Sequence, residues 1–268
     1  MTLLVKFDSV FLKREDQNPT GSAKDRAIKL QVDNLIKLQY PSAVISSTGN
    51  AAISAAYYCH LQNIPLTIFI SPNINPHKLA LLPQNNLVTG EKPISSAFKF
   101  AKSNQSYLLR QSTDPVALTG YHQIGLEIIK QLPKVSSIFI PVGSGTTLLG
   151  ISRSLPSTVK IFAVQPACHC PIAAVFDTDY QKESDTITDS LKAISLPLKR
   201  QVISAIKRSN GSGIVVQNSE VIKFDQYFKK NNIITAPEAA LAYTGYLKAK
   251  KIFPIGDFPV ILLTGAQR

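Results

Sequence analysis

Asn18-Pro19-Thr20-Gly21-Ser22-Ala23-Lys24-Asp25-Arg26 leads into the first helical run of the chain. Asn-Pro followed by Gly is turn chemistry. Behind it, Ala27, Ile28, Leu30, Val32, Leu35, Ile36 and Leu38 recur at helical spacing and predict a helix to about Gln39. Ser22 is the expected N-cap, because its hydroxyl can accept a bond from an unpaired first-turn N–H. Lys24 then falls in the first turn, where the positive end of the helix dipole disfavours a cation. Such a lysine is either a charge with a solvated tip or an amine kept for chemistry such as Schiff-base formation.

Outward from that helix, short apolar runs alternate with helical ones to the end of the chain. Strands are expected at 10–12, 43–46, 66–70, 107–109, 138–140, 161–164, 213–216 and 260–263. Helices are expected at 51–58, 76–82, 94–103, 118–131 and 237–250, with one more capped by Ser219 and running to Lys230. Residues 177–189 read as loop. The alternation predicts an α/β fold with mainly parallel sheets, and the unbroken apolar strands predict sheets covered on both faces.

With 268 residues, 44% hydrophobic and 17% charged, the chain has the composition of an ordinary globular protein with a sizeable core. No apolar run is long enough to span a membrane, and the N-terminus meets a charge at Lys6 too soon for a signal peptide. A cytoplasmic protein is the default expectation. The formal charge of +12 invites a nucleic-acid partner. The basic residues are scattered, however, and no stacking aromatics interleave with them, so solvated faces are the better reading. That background would also attract an anionic substrate. Three cysteines make no disulfide framework. Cys168-His169-Cys170 lacks the second ligand pair of a structural zinc site, so no metal is expected.

Three further stretches sit where a strand should end. Ser46-Ser47-Thr48-Gly49-Asn50 follows a strand and precedes a helix, and such a turn offers hydroxyls and unpaired N–H groups to an anion. Read alone, it is equally a plain strand–loop–helix turn. Pro141-Val142-Gly143-Ser144-Gly145-Thr146-Thr147 combines glycines, which let a phosphate approach the backbone, with hydroxyl donors. It matches neither a Walker loop nor a dinucleotide fingerprint. Leu263-Thr264-Gly265 is on its face a strand end and a turn.

Together these stretches resemble the pyridoxal-phosphate enzymes of fold type II, the tryptophan-synthase-β type. The lysine stretch looks most like the threonine synthase pattern Asn-Pro-Thr-Gly-Ser-Phe-Lys-Asp-Arg, and eight of the nine positions match, with Ala23 for Phe. The resemblance covers nearly the whole chain. It implies two three-layer α/β/α domains, with residues 1–40 and 134–268 forming the larger and 41–133 the smaller, and pyridoxal 5'-phosphate in the cleft between them. It implies that Lys24 holds the cofactor as a Schiff base and then moves protons. It implies that Ser46, Ser47, Thr48, Gly49 and Asn50 hold the substrate carboxylate, with Asn50 also at the cofactor ring. It implies that Val142, Gly143, Ser144, Gly145 and Thr146 cradle the cofactor phosphate and that Thr264 faces the ring nitrogen. The partner would be a small amino-acid substrate, and a homodimer is compatible with the resemblance.

Two stretches bear on the reaction. Ala236-Pro237-Glu238-Ala239-Ala240 looks like a Pro-Glu-Gly-Ala-Ala stretch of some threonine synthases. Asp114-Pro115 and the run 119–128 lean instead toward threonine or serine dehydratases, and no arginine lies between Arg110 and Arg153 to hold a substrate phosphate. Lys6, Lys13 and Arg26 are expected near the cleft as substitutes. His122 is a weaker candidate general base. The match begins almost at residue 1, without the family's preceding Thr-Pro-Leu turn. The expected function is therefore threonine synthase, with a threonine or serine dehydratase second and a non-catalytic paralogue third.

Overall fold

The computed structural model describes residues 1–268 except Thr48, and at Asp189 the backbone only. In chain order the elements begin with β1 (Leu4–Phe7), β2 (Val10–Arg14), α1 (Lys24–Lys37), β3 (Ala43–Ser46), α2 (Asn50–Leu61), β4 (Leu66–Ile70) and α3 (Pro76–Leu79). Next come β5 (Leu87–Thr89), α4 (Pro93–Ser103), β6 (Tyr107–Leu108), α5 (Pro115–Gln131), β7 (Ser137–Pro141) and α6 (Thr146–Ser152). The chain ends with β8 (Lys160–Pro166), α7 (Lys199–Arg208), β9 (Ser212–Val216), α8 (Asn218–Lys230), α9 (Glu238–Ala249) and β10 (Pro259–Leu263).

The strands form two sheets. One has six strands in the order β1-β2-β10-β7-β8-β9, and the other has four in the order β5-β4-β3-β6. All pairs are parallel except β1 with β2, a hairpin that turns at Asp8, φ 49°, and Ser9. Alternate residues of each strand feed opposite cores, which is why the runs read as continuously apolar. Ile138, Ile140, Ile161, Ala163, Val260 and Leu262 pack against α5, α6 and α7. Phe139, Phe162, Val164, Ile261 and Leu263 face α8 and α9. In the smaller sheet, Ala43, Ile45 and Ile68 pack against α1 and α2, while Val44 and Phe69 meet α4. Both units are three-layered.

On this distribution we propose the division into 1–40 with 134–268 around the larger sheet and 41–133 around the smaller. Two helices pack across that boundary. Ile28, Val32 and Leu35 of α1 lie in the smaller sheet's core. Ala117, Leu118, Tyr121, Ile124 and Ile128 of α5 lie in the larger one's.

Several elements differ from the sequence reading. Lys24 is the first helical residue and Ala23 the cap position; Ser22 pairs by backbone with Gly265, while its hydroxyl still accepts the Lys24 N–H at 3.3 Å. The helix expected from 118 starts at Pro115, because the Asp114 carboxylate caps it through the Val116 N–H at 2.9 Å. The helix expected after Ser219 starts earlier, where Glu220 accepts the Gln217 N–H at 3.1 Å. β1, β5, α6 and α7 were not expected. In α7 the buried Val202, Ala205 and Ile206 sit at i, i+3 and i+4 between basic ends that had read as solvated faces. Among the described residues no helix is long and apolar enough to cross a membrane.

Where β2, α1 and α5 meet, two cations and two carboxylates are buried together. Lys13 and Glu15 have no exposed side-chain surface. Lys13 Nζ reaches Glu127 Oε2 at 2.5 Å and the Thr2 carbonyl at 2.8 Å. Arg26 donates to Glu15 through Nε at 2.9 Å and to Glu127 through Nη1 at 2.6 Å. Lys13 and Arg26 are therefore not cleft cations, contrary to expectation; charge pairing of this quality is what makes their burial tolerable. Lys6 lies on the exposed face of the edge strand β1 and does not reach the cleft either.

Burial alone would raise the Glu127 carboxyl, but hydrogen bonds from Arg26 and then Lys13 hold it below its ordinary value. Its contribution to stability is therefore complete above the ordinary carboxylate range and is lost as pH falls through the depressed value. Glu127→Ala leaves Glu15 as the one carboxylate for both Lys13 and Arg26 and should cost about 3 kcal/mol, lowering Tm by roughly 6–12 °C. Thermal melts of wild type and variant should differ by a constant amount from about pH 8 to 6, and the difference should narrow as pH falls below the ordinary carboxylate range. A gap that widens in acid would contradict this assignment.

Candidate active site

The polar residues of the stretch 18–26, Lys24 apart, make structural bonds. The Asn18 side chain donates to the Glu15 carbonyl at 2.8 Å and to Glu15 Oε2 at 2.7 Å. Gly21 turns the chain at φ 72°, a conformation that favours glycine. Asp25, 2% exposed, accepts the Thr20 N–H at 2.7 Å, the Thr20 hydroxyl, and the Ser54 hydroxyl of α2 at 2.7 Å. Ala23 N–H bonds the Thr264 carbonyl at 3.0 Å and Ala266 N–H bonds the Gly21 carbonyl at 2.8 Å. The loop is thus fixed to α2 on one side and to the end of β10 on the other. Lys24 remains half-buried at the cleft, its Nζ 5.6 Å from the centre of the Tyr121 ring.

That cleft encloses about 560 Å³. It lies at the carboxyl ends of strands from both sheets, where open α/β folds bind ligands. Ser46 ends β3, Pro141 ends β7, Thr264 follows β10, and Arg110 and Gln111 follow β6. Of the expected site residues, Lys24, Ser46, Ser47, Gly49, Asn50, Val142, Gly143, Ser144, Gly145 and Thr264 line it. Thr48 lies outside the described residues. Thr146 does not face the cleft: it is 2% exposed, with its hydroxyl 3.0 Å from Ser144 Oγ, and Thr147 lines the wall instead. At Gly145, φ is 85° and a Cβ would come within 2.6 Å of Val202, so only glycine suits the turn. Asn50 Oδ1 is buried without a partner among the described residues, while its Nδ2 abuts Gly265.

The sequence reading missed one wall. Asn73, Asn75 and Lys78 come from the β4–α3 region, Arg110 and Gln111 from behind β6, and residues 190–193 from a long strap. Arg110 donates to Ser195 Oγ at 3.0 Å and lies over the Phe98 ring at 5.1 Å. Lys192 forms an ion pair with Asp185. Glu238, buried, holds the strap by accepting the Ser190 N–H at 3.3 Å and the Ser190 hydroxyl, and His169 meets the Ala193 carbonyl at 2.9 Å. Among the described lining residues none is acidic. His122 is not among them; its carbonyl accepts the Ser154 hydroxyl at 3.0 Å.

A larger groove of about 1000 Å³ runs behind the lysine loop, against Tyr57, His60, Leu81 and Arg268, but it contains none of Lys24, Asn50 or Thr264. Cys59 borders it, and burial pushes that thiol up to about 12, which leaves it protonated at neutral pH.

Comparison with known proteins agrees with this geometry. The family model for pyridoxal-phosphate dependent enzymes matches residues 3–265, so the chain belongs to that family. It is 26% identical to the threonine synthase of Methanosarcina acetivorans over 95% of this chain and 69% of the relative. It is 25% identical to the L-threonine ammonia-lyase of Geobacter sulfurreducens over 59% of this chain and 42% of the relative. Maize serine racemase superposes with a TM-score of 0.83 at 18% identity, over 97% of this chain and 83% of that one. The protein is thus an α/β enzyme of the pyridoxal-phosphate family.

The buried amide oxygen of Asn50, unpartnered among the described residues, the lysine amine of the same cleft and the glycine-turned loop at 143–145 fit a phosphorylated aldehyde. Asn50→Ala and Thr264→Val should each weaken cofactor binding by about 1 kcal/mol, or roughly fivefold in Kd. Because Asn50 Oδ1 has no partner to lose, Tm of the cofactor-free Asn50 variant should stay within about 2 °C of wild type. Cofactor titration and melting measure both. Unchanged affinity in both variants would make these residues ordinary turn residues.

Proposed function

We propose that the protein is a threonine synthase, converting O-phosphohomoserine and water to threonine and phosphate. One observation carries the reading. Beyond Lys24, the cleft wall presents Arg110, Lys78 and Lys192 with no acidic side chain among the described lining residues. A neutral hydroxy amino acid would need donors for one carboxylate. Lys192 is paired with Asp185, but Arg110, whose described hydrogen-bond partner is the neutral Ser195 hydroxyl, suits a substrate with a second anionic group, which the overall charge of +12 would also attract.

In this reading Ser47 and Asn50, with the N–H groups at the start of α2, hold the substrate carboxylate. Backbone N–H groups at 143–147 and the hydroxyls of Ser144 and Thr147 hold the cofactor phosphate, and Thr264 faces the ring nitrogen as a neutral partner. Pyridoxal phosphate, when bound, supplies the electron sink that makes the substrate Cα proton removable. Lys24 Nζ takes that proton and returns one as general acid. A proton then leaves the β-carbon, its bonding pair forming the β–γ double bond as the γ-carbon loses its C–O bond to phosphate, and Arg110 offers bidentate donors to the departing anion. Water then adds its oxygen at the β-carbon, and a proton ends on the γ-carbon, so the overall reaction balances as a hydrolytic rearrangement.

The stretch that leaned toward a dehydratase has a structural explanation. Asp114 caps α5 and accepts the Tyr107 hydroxyl at 2.6 Å and the Gln31 amide at 2.7 Å, while Glu127 closes the buried ion network. Neither lines the cleft. Arg110→Ala should therefore raise KM for phosphohomoserine about tenfold or more, the worth of a charged hydrogen bond. Phosphohomoserine should outcompete homoserine, less so at high salt. Steady-state phosphate and ketoacid assays decide it. Ketoacid from threonine or serine without phosphate release would make the protein an ammonia-lyase, and silence on all substrates in loaded protein would make it non-catalytic.

A further inference from the structure

α5 is wedged between the helix that carries Lys24 and the helix that follows the 143–145 loop. A Cβ on Gly120 would overlap the Arg26 carbonyl of α1, and one on Gly150 of α6 would overlap the Tyr121 Cβ. Tyr121 is therefore fixed against both helices by near-backbone contact. It is fully buried, the bulkiest such side chain among the described residues, and it shares a core with Ala23, Ala27 and Leu148. Its ring centre is 5.6 Å from Lys24 Nζ. Its hydroxyl is buried and has no hydrogen-bond partner among the described residues, so hydrogen bonding does not account for the side chain at this position.

We propose that Tyr121 is a positioning residue for Lys24, whose ring face seats the amine whenever it is positively charged. The electron-rich face of an aromatic ring attracts an ammonium within about 6 Å. Lys24 becomes an ammonium each time it takes a proton from the substrate carbon, so the ring both fixes where Nζ waits and stabilises the amine as a proton acceptor. The charged groups around Lys24 make such a seat useful. On its own helix, Asp25 is committed to Thr20 and Ser54, and Arg26 to Glu15 and Glu127. On α5, Glu127 is in that ion network and His122 is off the cleft. Across the cleft, Arg110, whose described hydrogen-bond partner is the neutral Ser195 hydroxyl, opposes a positive Nζ, while Lys192 is paired with Asp185. The ring offsets that repulsion without introducing a carboxylate that would repel an anionic substrate. The proposal rests on the preceding section only in taking Lys24 as the acting lysine.

The test uses the cofactor-free full chain and no substrate. Reductive methylation modifies neutral amines only, so its rate at Lys24, followed by peptide mass spectrometry from about pH 6 to 10, reads the neutral fraction of that amine. The exposed Lys37, at the far end of α1, is the internal reference. Tyr121 is replaced by phenylalanine and then by mono-, di- and trifluorinated phenylalanine, which keep the shape while removing the negative ring face. Tyr121→Phe should react like wild type. Reactivity of Lys24 at neutral pH should climb with each fluorine to about two- to fivefold, the size expected for loss of a cation–ring contact, with Lys37 unchanged. Tyr121→Leu should move in the same direction. A flat series, or equal change at Lys37, overturns the proposal. A flat series with full phosphohomoserine turnover removes only the role of Tyr121, and a graded series without turnover removes only the proposed function.

Discussion

Buried Asp25 is the constraint on which the site depends. Its carboxylate takes the N–H and hydroxyl of Thr20 and the hydroxyl of Ser54, so a single side chain closes the lysine loop and fastens it to α2. The position is electrostatically sound, since a carboxylate in the first turn of α1 faces the positive end of the helix dipole. Lys24 is one residue away and gains nothing from that dipole. The loop therefore holds an acid where the backbone favours it and a base where the backbone does not. The second buried centre, Glu15 and Glu127 with Lys13 and Arg26, fastens the next residue of the same turn to β2 and α5. Two anchored neighbours leave Lys24 at the cleft as a consequence of how the turn is tied.

The same economy governs the cleft. Asp25, Glu15 and Glu127 turn inward to Thr20, Ser54, Arg26 and Lys13, the exposed Asp185 pairs with Lys192 from outside the wall, and the described wall facing the ligand space is cationic or neutral. Unpaired anions would repel both phosphate and substrate carboxylate. Glu238 follows the rule too, because it is buried against the strap through Ser190.

Much of this was legible in the sequence because it is local. The turn at 18–26 carries its own bonding partners within a few residues, as Asn18 with Glu15 and Thr20 with Asp25 show. Eight of the ten described strands announced themselves as apolar runs because both faces of each sheet are covered, while the edge strands β1 and β5 bury no residue fully and did not. Long-range pairing was not legible. Lys13 and Arg26 looked like available charge, since nothing near them in the sequence says that Glu127, 101 residues beyond Arg26, will claim both. Arg110, Lys78 and Lys192 converge from three separate segments that carry no motif. Thr146 and Thr147 are interchangeable in sequence, and only the helical rotation at the start of α6 decides which one faces the cleft.

The central claim is that this turn presents Lys24, and no other lysine, to the cofactor. Borohydride reduction of the pyridoxal-phosphate-loaded protein followed by peptide mass spectrometry tests it directly. The pyridoxyl label should sit on Lys24, with Lys24→Ala carrying none at stoichiometric cofactor. A label on Lys78, which lines the same cleft, or on any other lysine of a correctly folded protein would contradict the account.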